Sequence, residues 1–276
     1  MSASTHKDGE SQVKDASTGP ASRSPIKNPV KRQAGQSLED YLDSFVSDES
    51  FLCAVPLGFA LLWLLIELLN RHFQTSTPLW LLVVFVILAI VNCFVRFRKT
   101  KRRAKLLRQG RDGERYVAQV IEKDLIPDGY RVVHDLFFER DGRKFNIDHL
   151  LIGRNGVFCL ETKTWSKPFR GETIATYDGS KIYLNGIPAK GDAIGQARAL
   201  AKEAEEQIRK LIGVSVKVTP FVVCIGWFID VKNSSGTSDV LVVNEKGLKT
   251  FVKNCPGLLE PSDVDRIWQR MMEAFA

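Results

Sequence analysis

The chain has 276 residues, of which 44% are apolar and 26% charged, with a formal net charge of +7. That length holds one sizeable domain with appendages or two small ones, and the apolar share excludes a chain disordered throughout. Five cysteines without a CxxC pair or regular spacing exclude a disulfide framework and a zinc site, and fit a reducing compartment.

Residues 1–37 are rich in Ser, Thr, Lys, Gly and Pro and nearly free of large apolar side chains. Such a segment cannot bury enough surface to offset its ordering entropy, so a disordered tail is expected, too long and polar for a signal-peptide n-region. A short polar to amphipathic lead-in covers 38–50. Two apolar runs follow, 51–69 ("FLCAVPLGFALLWLLIELL") and 78–95 ("PLWLLVVFVILAIVNCFV"); the first has one acid, Glu67, and the second no charge. As helices each would span about 27–28 Å, close to the hydrocarbon thickness of a bilayer. Core helices normally carry a polar stripe, which these lack. The loop 70–77 is short, so the expectation is a two-pass transmembrane hairpin.

The net charge is local. Residues 96–111 ("RFRKTKRRAKLLRQGR") hold nine Lys or Arg and no acid, more than the whole excess, so the rest of the chain is near neutral. Lying against the second run, this block places itself in the cytoplasm by the positive-inside rule, and two spans return both termini to that side. The inner or plasma membrane is the expected location. As a juxtamembrane linker (96–110) the block would attract anionic lipid; as a nucleic-acid patch it would bind without sequence preference.

From residue 111 the pattern becomes that of a soluble α/β domain. A helix is expected at 112–124, with Val117, Val120 and Ile121 on one stripe. Strands are expected near 130–138, 146–152, 156–163, 171–177 and 180–184. A helix at 191–212 carries the stripe Ala197, Ala201, Ala204, Ile208 and Leu211, and strands follow at 217–225 and 239–243. In the last helix Val264, Ile267, Trp268, Met271, Met272 and Phe275 share one face, read as core.

The chemistry-bearing stretch is "NIDHLLIGRNGVFCLETKT", residues 146–164. Side chains two apart on a strand share a face, so Glu161 and Lys163 stand side by side. "RNG" signals a hairpin turn. With Arg154-Asn155 at the corner Asp148 lies opposite Glu161; with Asn155-Gly156 it lies opposite Lys163; a three-residue loop would turn it to the other face. Two carboxylates on adjacent strands suit Mg²⁺, and a lysine beside them can orient an attacking water. A buried ion pair with a spare acid, or an exposed charge ladder, is the plainer reading of the same spacing. Glu114 shares the buried stripe of its helix with Val117, Ala118 and Ile121, where a carboxylate is costly unless paired. Gln196, beside the apolar stripe of the long helix, is placed to touch substrate or the lysine. Lys167 and Arg170 are candidate phosphate contacts and Trp165 a stacking platform, all in "TWSKPFRG". His134 and His149 read as structural. No phosphate-cradling Gly-rich loop is present, so an ATP-driven enzyme is not supported.

In their order, "GRDGERYV", "FNIDHLLIGRNGVFCLETKTW", "RGETI" and "GDAIGQARAL" resemble the nuclease-related domain (NERD), a branch of the PD-(D/E)xK restriction-endonuclease-like superfamily. The resemblance covers about residues 110–225. It implies a restriction-endonuclease-like mixed β-sheet flanked by helices over 111–228, completed by 229–276. It implies a core of Glu114, Asp148, Glu161 and Lys163 with Gln196 as accessory. Asp148, Glu161 and the carbonyl of Thr162 would hold Mg²⁺, with Mn²⁺ also suited. Lys163 would position the water and Glu114 would support that water or the lysine. Ile147 stands where the family motif has proline, without removing a functional group. The expectation is a membrane-anchored, Mg²⁺-dependent nuclease acting on nucleic acid, DNA before RNA, of bacterial origin by the resemblance. Its rivals are a catalytically inactive anchor that binds nucleic acid or a protein, and a membrane scaffold.

Overall fold

The computed structural model describes residues 33–72, 79–140, 142–232, 238–257 and 259–275. The expected N-terminal tail up to residue 32, and most of the loop between the apolar runs, lie outside these described residues.

Two long helices open the structure, α1 (Gln36–His72) and α2 (Leu79–Asp124). They pack antiparallel, as three pairings along their length show: Trp63 against Phe85, Glu49 with Arg96 at 3.5 Å, and Tyr41 with Arg103. The polar lead-in is therefore helix, continuous with the first apolar run. The basic block is helix as well: α2 runs unbroken from the second apolar run into the domain, and the helix expected at 112–124 is its final turns. Arg, Lys, Leu, Ala and Gln are strong helix formers, and the lead-in supplies partners for the basic side chains. Among the described residues one helix, Gln36–Asn70, is long and apolar enough to cross a membrane, and only 11% of its most apolar window is buried. Phe51, Phe59 and Leu61 point outward, while Glu67 is turned inside. The second run forms the start of α2, with Trp80, Leu88 and Phe94 also exposed.

The domain is a mixed α/β fold of two sheets with flanking helices. Its larger sheet contains β1 (Arg131–Arg140), β2 (Arg143–Gly153), β3 (Gly156–Lys163), β7 (Val218–Cys224) and β9 (Leu241–Val243), in that order. The first three strands are antiparallel, and β3, β7 and β9 run parallel. A smaller sheet, ordered β6 (Ile187–Pro188), β5 (Ile182–Leu184), β4 (Ile174–Tyr177), β8 (Phe228–Val231), stands beside it. Helices α3 (Ala193–Ile212) and α5 (Pro261–Phe275) cover one face of the large sheet; Leu150, Cys159, Ala204, Ile208, Ile267 and Met271 form that core. The end of α2 and the short α4 (Leu248–Asn254) cover the other, with Val117, Ile121, Phe158, Leu160, Phe221 and Val252. The Met and Trp stripe of α5 is core, as its periodicity implies.

Two local features position the site. Helix α2 crosses the end of β3 so closely that a Cβ on Gly113 would lie 1.9 Å from Thr164 Cγ2; only glycine permits that crossing. In the β1–β2 ribbon the apolar alternation inverts midway. Val133 and Leu150 lie in the α3/α5 core, and so do Leu136 and Ile147, which a strict period of two would send to the opposite face. The inversion falls at Asp135, whose φ of 52° lies in the left-handed region that aspartate tolerates better than most residues.

Candidate active site

The β2–β3 turn pairs Gly153 with Gly156, leaving Arg154 and Asn155 as its corner. The ladder runs to His149 opposite Leu160, and the next step sets Asp148 opposite Glu161. Of the three registers open to the sequence, this is the first. Both acids are buried. Asp148 Oδ2 accepts from the backbone N–H of Thr162 at 2.7 Å. Lys163 Nζ donates to Glu161 Oε1 at 2.6 Å and to Gln196 Oε1 at 3.0 Å. Gln196 reaches the lysine because Asp192 caps α3, its side chain accepting from the Gly195 N–H at 2.8 Å, which sets Gln196 in the first turn. Glu114 arrives from α2, beside Gly113, and is also buried.

Five residues expected to act together, Glu114, Asp148, Glu161, Lys163 and Gln196, are thus in one place. Their electrostatics are out of balance. Burial is the chief cause that raises the carboxyls of Asp148, Glu161 and Glu114 above the ordinary range. For Asp148 the charges of Glu161 and Glu114 add to the rise; for Glu161 the lysine opposes it. Glu114, with Asp135 and Glu161 as like-charged neighbours, is pushed up to about 8. Glu114 Oε2, Glu161 Oε2 and Thr162 Oγ1 are buried with no hydrogen-bond partner. Buried acceptors without donors are costly, and a cation would answer them.

Among the described residues no three His, Cys, Asp or Glu side chains converge closely enough to hold an ion by themselves. Mg²⁺ does not need such a cage, since it takes one or two carboxylates and keeps its waters. The paired Asp148 and Glu161, with the orphaned Glu161 Oε2, fit that donor set. Thr162 joins the centre through its N–H, which Asp148 accepts.

The outlying candidates fare differently. Lys167 and Arg170 are exposed. Trp165 is only partly so: its ring packs against the core beneath the small sheet, and its carbonyl accepts from Trp227 Nε1 at 3.2 Å. It still lines, with Gln109, Asp112, Tyr116 and Lys167, a cavity of about 350 Å³. That cavity borders the centre, since Gly113 and Thr164 are also in its wall. Phe169, unremarked in the sequence, is 97% exposed between Lys167 and Arg170.

His134 and His149 bind each other, Nδ1 to Nδ1 at 2.8 Å, and burial holds both below the usual range, His134 at about 4. They are a neutral structural pair. The residue that sequence reasoning missed is Asp135, fully buried beside this pair. Ladder register sets it opposite Asp148, and Ser37 of α1 binds both its oxygens. An acid inside the apolar strand "RVVHDLFF" was the available signal.

No curated protein matches the chain. The family model for the nuclease-related domain does, over residues 109–225, which hold Glu114, Asp148, Glu161, Lys163 and Gln196. Residues 109–225 are thus similar to the nuclease-related domain, and the match is confined to that part of the chain.

Proposed function

We propose that the chain is a membrane-tethered, Mg²⁺-dependent nuclease that hydrolyses phosphodiester bonds of nucleic acid, DNA before RNA, at the cytoplasmic face. The observation that carries this reading is the surplus of buried carboxylate around a lysine held by Glu161 and Gln196. Asp148 and Glu161, with the Thr162 carbonyl, would hold Mg²⁺, which supplies Lewis-acid polarisation of the phosphate and a readier water nucleophile. Lys163 aims its ammonium at the attacking water and offsets charge developing on the phosphate. Gln196 fixes the direction of that ammonium. Glu114, titrating at about 8, takes up or releases a proton near neutral pH. The water oxygen gives up a proton to solvent as it bonds to phosphorus, the bond from phosphorus to the leaving oxygen breaks, and that oxygen takes a proton from solvent. Lys167 and Arg170 meet backbone phosphates. Phe169, more exposed than Trp165, offers the outer stacking surface.

Both apolar runs cross the bilayer in this reading, α1 and the start of α2 forming the hairpin with both termini cytoplasmic. The basic block at 96–111 supports the orientation and meets anionic lipid. Because α2 is continuous, Glu114 stands about 28 Å along the helix from Val95, at about 1.5 Å per residue. Nucleic acid would thus be met close to, but clear of, the headgroups.

A second reading, the inactive anchor, is favoured by one observation: among the described residues no three acids converge as a metal cluster. The deciding experiment titrates Mg²⁺ and Mn²⁺ by calorimetry into the full chain in nanodiscs, wild type and Asp148→Ala, and offers both plasmid, linear DNA, single strands and RNA. Metal binding and cleavage lost together in the variant support the nuclease. Salt-sensitive nucleic-acid binding that survives Asp148→Ala, without cleavage by the wild type, transfers the case to the anchor.

A further inference from the structure

We propose that the segment Ala34–Glu39, at the head of the helix bearing the first apolar run, is a working part of the acidic centre, with Asp135 as the positioning residue that clamps it there. The inference deepens the nuclease reading and rests on it.

This segment meets the elements that carry the centre at two points. Gly35 lies against Arg111, in the stretch of α2 that leads into Glu114. Ser37 donates twice to Asp135, its N–H to Oδ2 at 2.9 Å and its hydroxyl to Oδ1 at 2.6 Å. Asp135 thereby places a carboxyl acceptor at the first turn of α1, where the helix leaves N–H groups unsatisfied. Arginines of α2 brace the same turn. Arg115 Nε donates to the Ala34 carbonyl at 3.4 Å, and Arg115 and Arg111 both pair with Glu39.

The fit is specific. Ala34 and Gly35 are buried although the chain around them is polar. Gly35 has φ of +73°, and a Cβ there would lie 2.9 Å from Arg111 Cγ and 3.1 Å from the Arg111 carbonyl. Asp135 holds its own positive φ in the middle of a strand, a conformation that persists only where the surroundings over-determine it. The two outliers mark one docked segment, which packs on α2 at Arg111 and on β1 at Asp135. From Ser37, α1 continues as helix to His72. Displacing the apolar helix therefore takes Gly35 away from the stretch of α2 that carries Glu114 and releases Asp135, on the strand paired with that of Asp148. The hairpin is then more than a tether: the centre is assembled only while the head of α1 is docked.

The test uses the full chain in phospholipid nanodiscs with Ser37→Ala, Ser37→Thr and Gly35→Val. In Ser37→Ala and Gly35→Val, hydrogen exchange should quicken at 33–39 and 111–118 while the sheet stays protected. Cleavage with Mg²⁺ should lose about 10²-fold in kcat, the scale of a misplaced catalytic group, with KM unchanged. Ser37→Thr, which keeps the hydroxyl, should restore both. The proposal is overturned if the segment is freed but kcat and Mg²⁺ affinity stay at wild-type values. Should wild type neither bind Mg²⁺ nor cleave, the nuclease reading falls and exchange alone decides: Ser37→Ala must then loosen 33–39, and unchanged protection there overturns the docking of this segment.

Discussion

At one step of the β1–β2 ladder two histidines stand opposite each other; at the next, two aspartates do. His149 is fully buried and His134 half-buried; the two share one hydrogen bond and are held neutral by their surroundings. Asp148 is just as deep, but it adjoins Glu161 and Glu114, and the group carries orphaned oxygens and only Lys163 as a cation among its hydrogen-bonded side chains. Both clusters are polar groups in an apolar sheet, so burial alone does not separate structure from function. What separates them is whether the cluster's needs are met from within. The histidines nearly meet theirs, leaving one ring nitrogen of His149 over. The acids do not, and a group that folds with an unmet charge demand is one prepared for a ligand.

The sharpest way to break this comparison is Asp148→Asn. If the acids await a cation, removing one costs several kcal/mol of metal-derived stabilisation, so cleavage should fall at least about 10³-fold. The same change should raise the melting temperature in chelator, because it deletes a buried charge, and should erase the stabilisation that Mg²⁺ gives wild type. A structural role like that of the histidines would produce the opposite: a lower melting temperature with or without Mg²⁺.

Next in size is a pH effect. Glu114 titrates at about 8 when folded against an ordinary 4.5. Between those values the folded chain binds more protons than the unfolded one, so stability falls as pH rises through the window. Denaturant midpoints of metal-free wild type should therefore be lower at pH 8.5 than at pH 6, and Glu114→Gln should flatten that decline. Saturating Mg²⁺ should flatten it too, since a cation favours the charged carboxylates. A decline that neither change touches would show that Glu114 is not part of the centre.

Much of the centre was legible because its signals are short-range. The Arg154-Asn155 corner fixes Asp148 against Glu161 by register alone, and Glu114 follows from its spacing to Val117, Ala118 and Ile121. Gln196 follows from the start of α3. The parts that were not legible depend on contacts far apart in sequence. The inversion at Asp135 is stabilised by Ser37, 98 residues away. Nothing in "RVVHDLFF" announces a left-handed residue. The basic block reads as a linker because charge dominates its composition, yet its residues favour helix and α1 offers them Tyr41, Phe45 and Glu49. Trp165 reads as a free stacking ring because the small sheet that half-buries it is made of strands too short to show a period; β6 has two residues and β5 three. Thus the sequence of this chain states its chemistry locally, whereas the coupling of the centre to the helical hairpin appears only in three dimensions.

The smallest expected effect on activity is at the histidines, and it completes the comparison. His134 titrates at about 4 in the folded chain against an ordinary 6.5. Below 6.5 the unfolded chain takes up a proton that the folded pair refuses, so this pair's contribution is fully present above 6.5 and is lost as pH falls toward 4. Replacing His149 with Leu leaves His134 without its buried partner, at a cost of about 1–3 kcal/mol. The variant should melt lower at pH 7, and its acid limb should be shallower than wild type because one of the two refusing groups is gone. Cleavage per folded molecule and Mg²⁺ affinity should stay within about twofold, since the pair's hydrogen bond is separate from those of Asp148, Glu161 and Lys163 and about half a kcal/mol is the scale of coupling expected between independent sites. Loss of metal binding in this variant would mean that the two ladder steps act as one site, and the line drawn between a closed polar pair and an open one would have to be redrawn to include both.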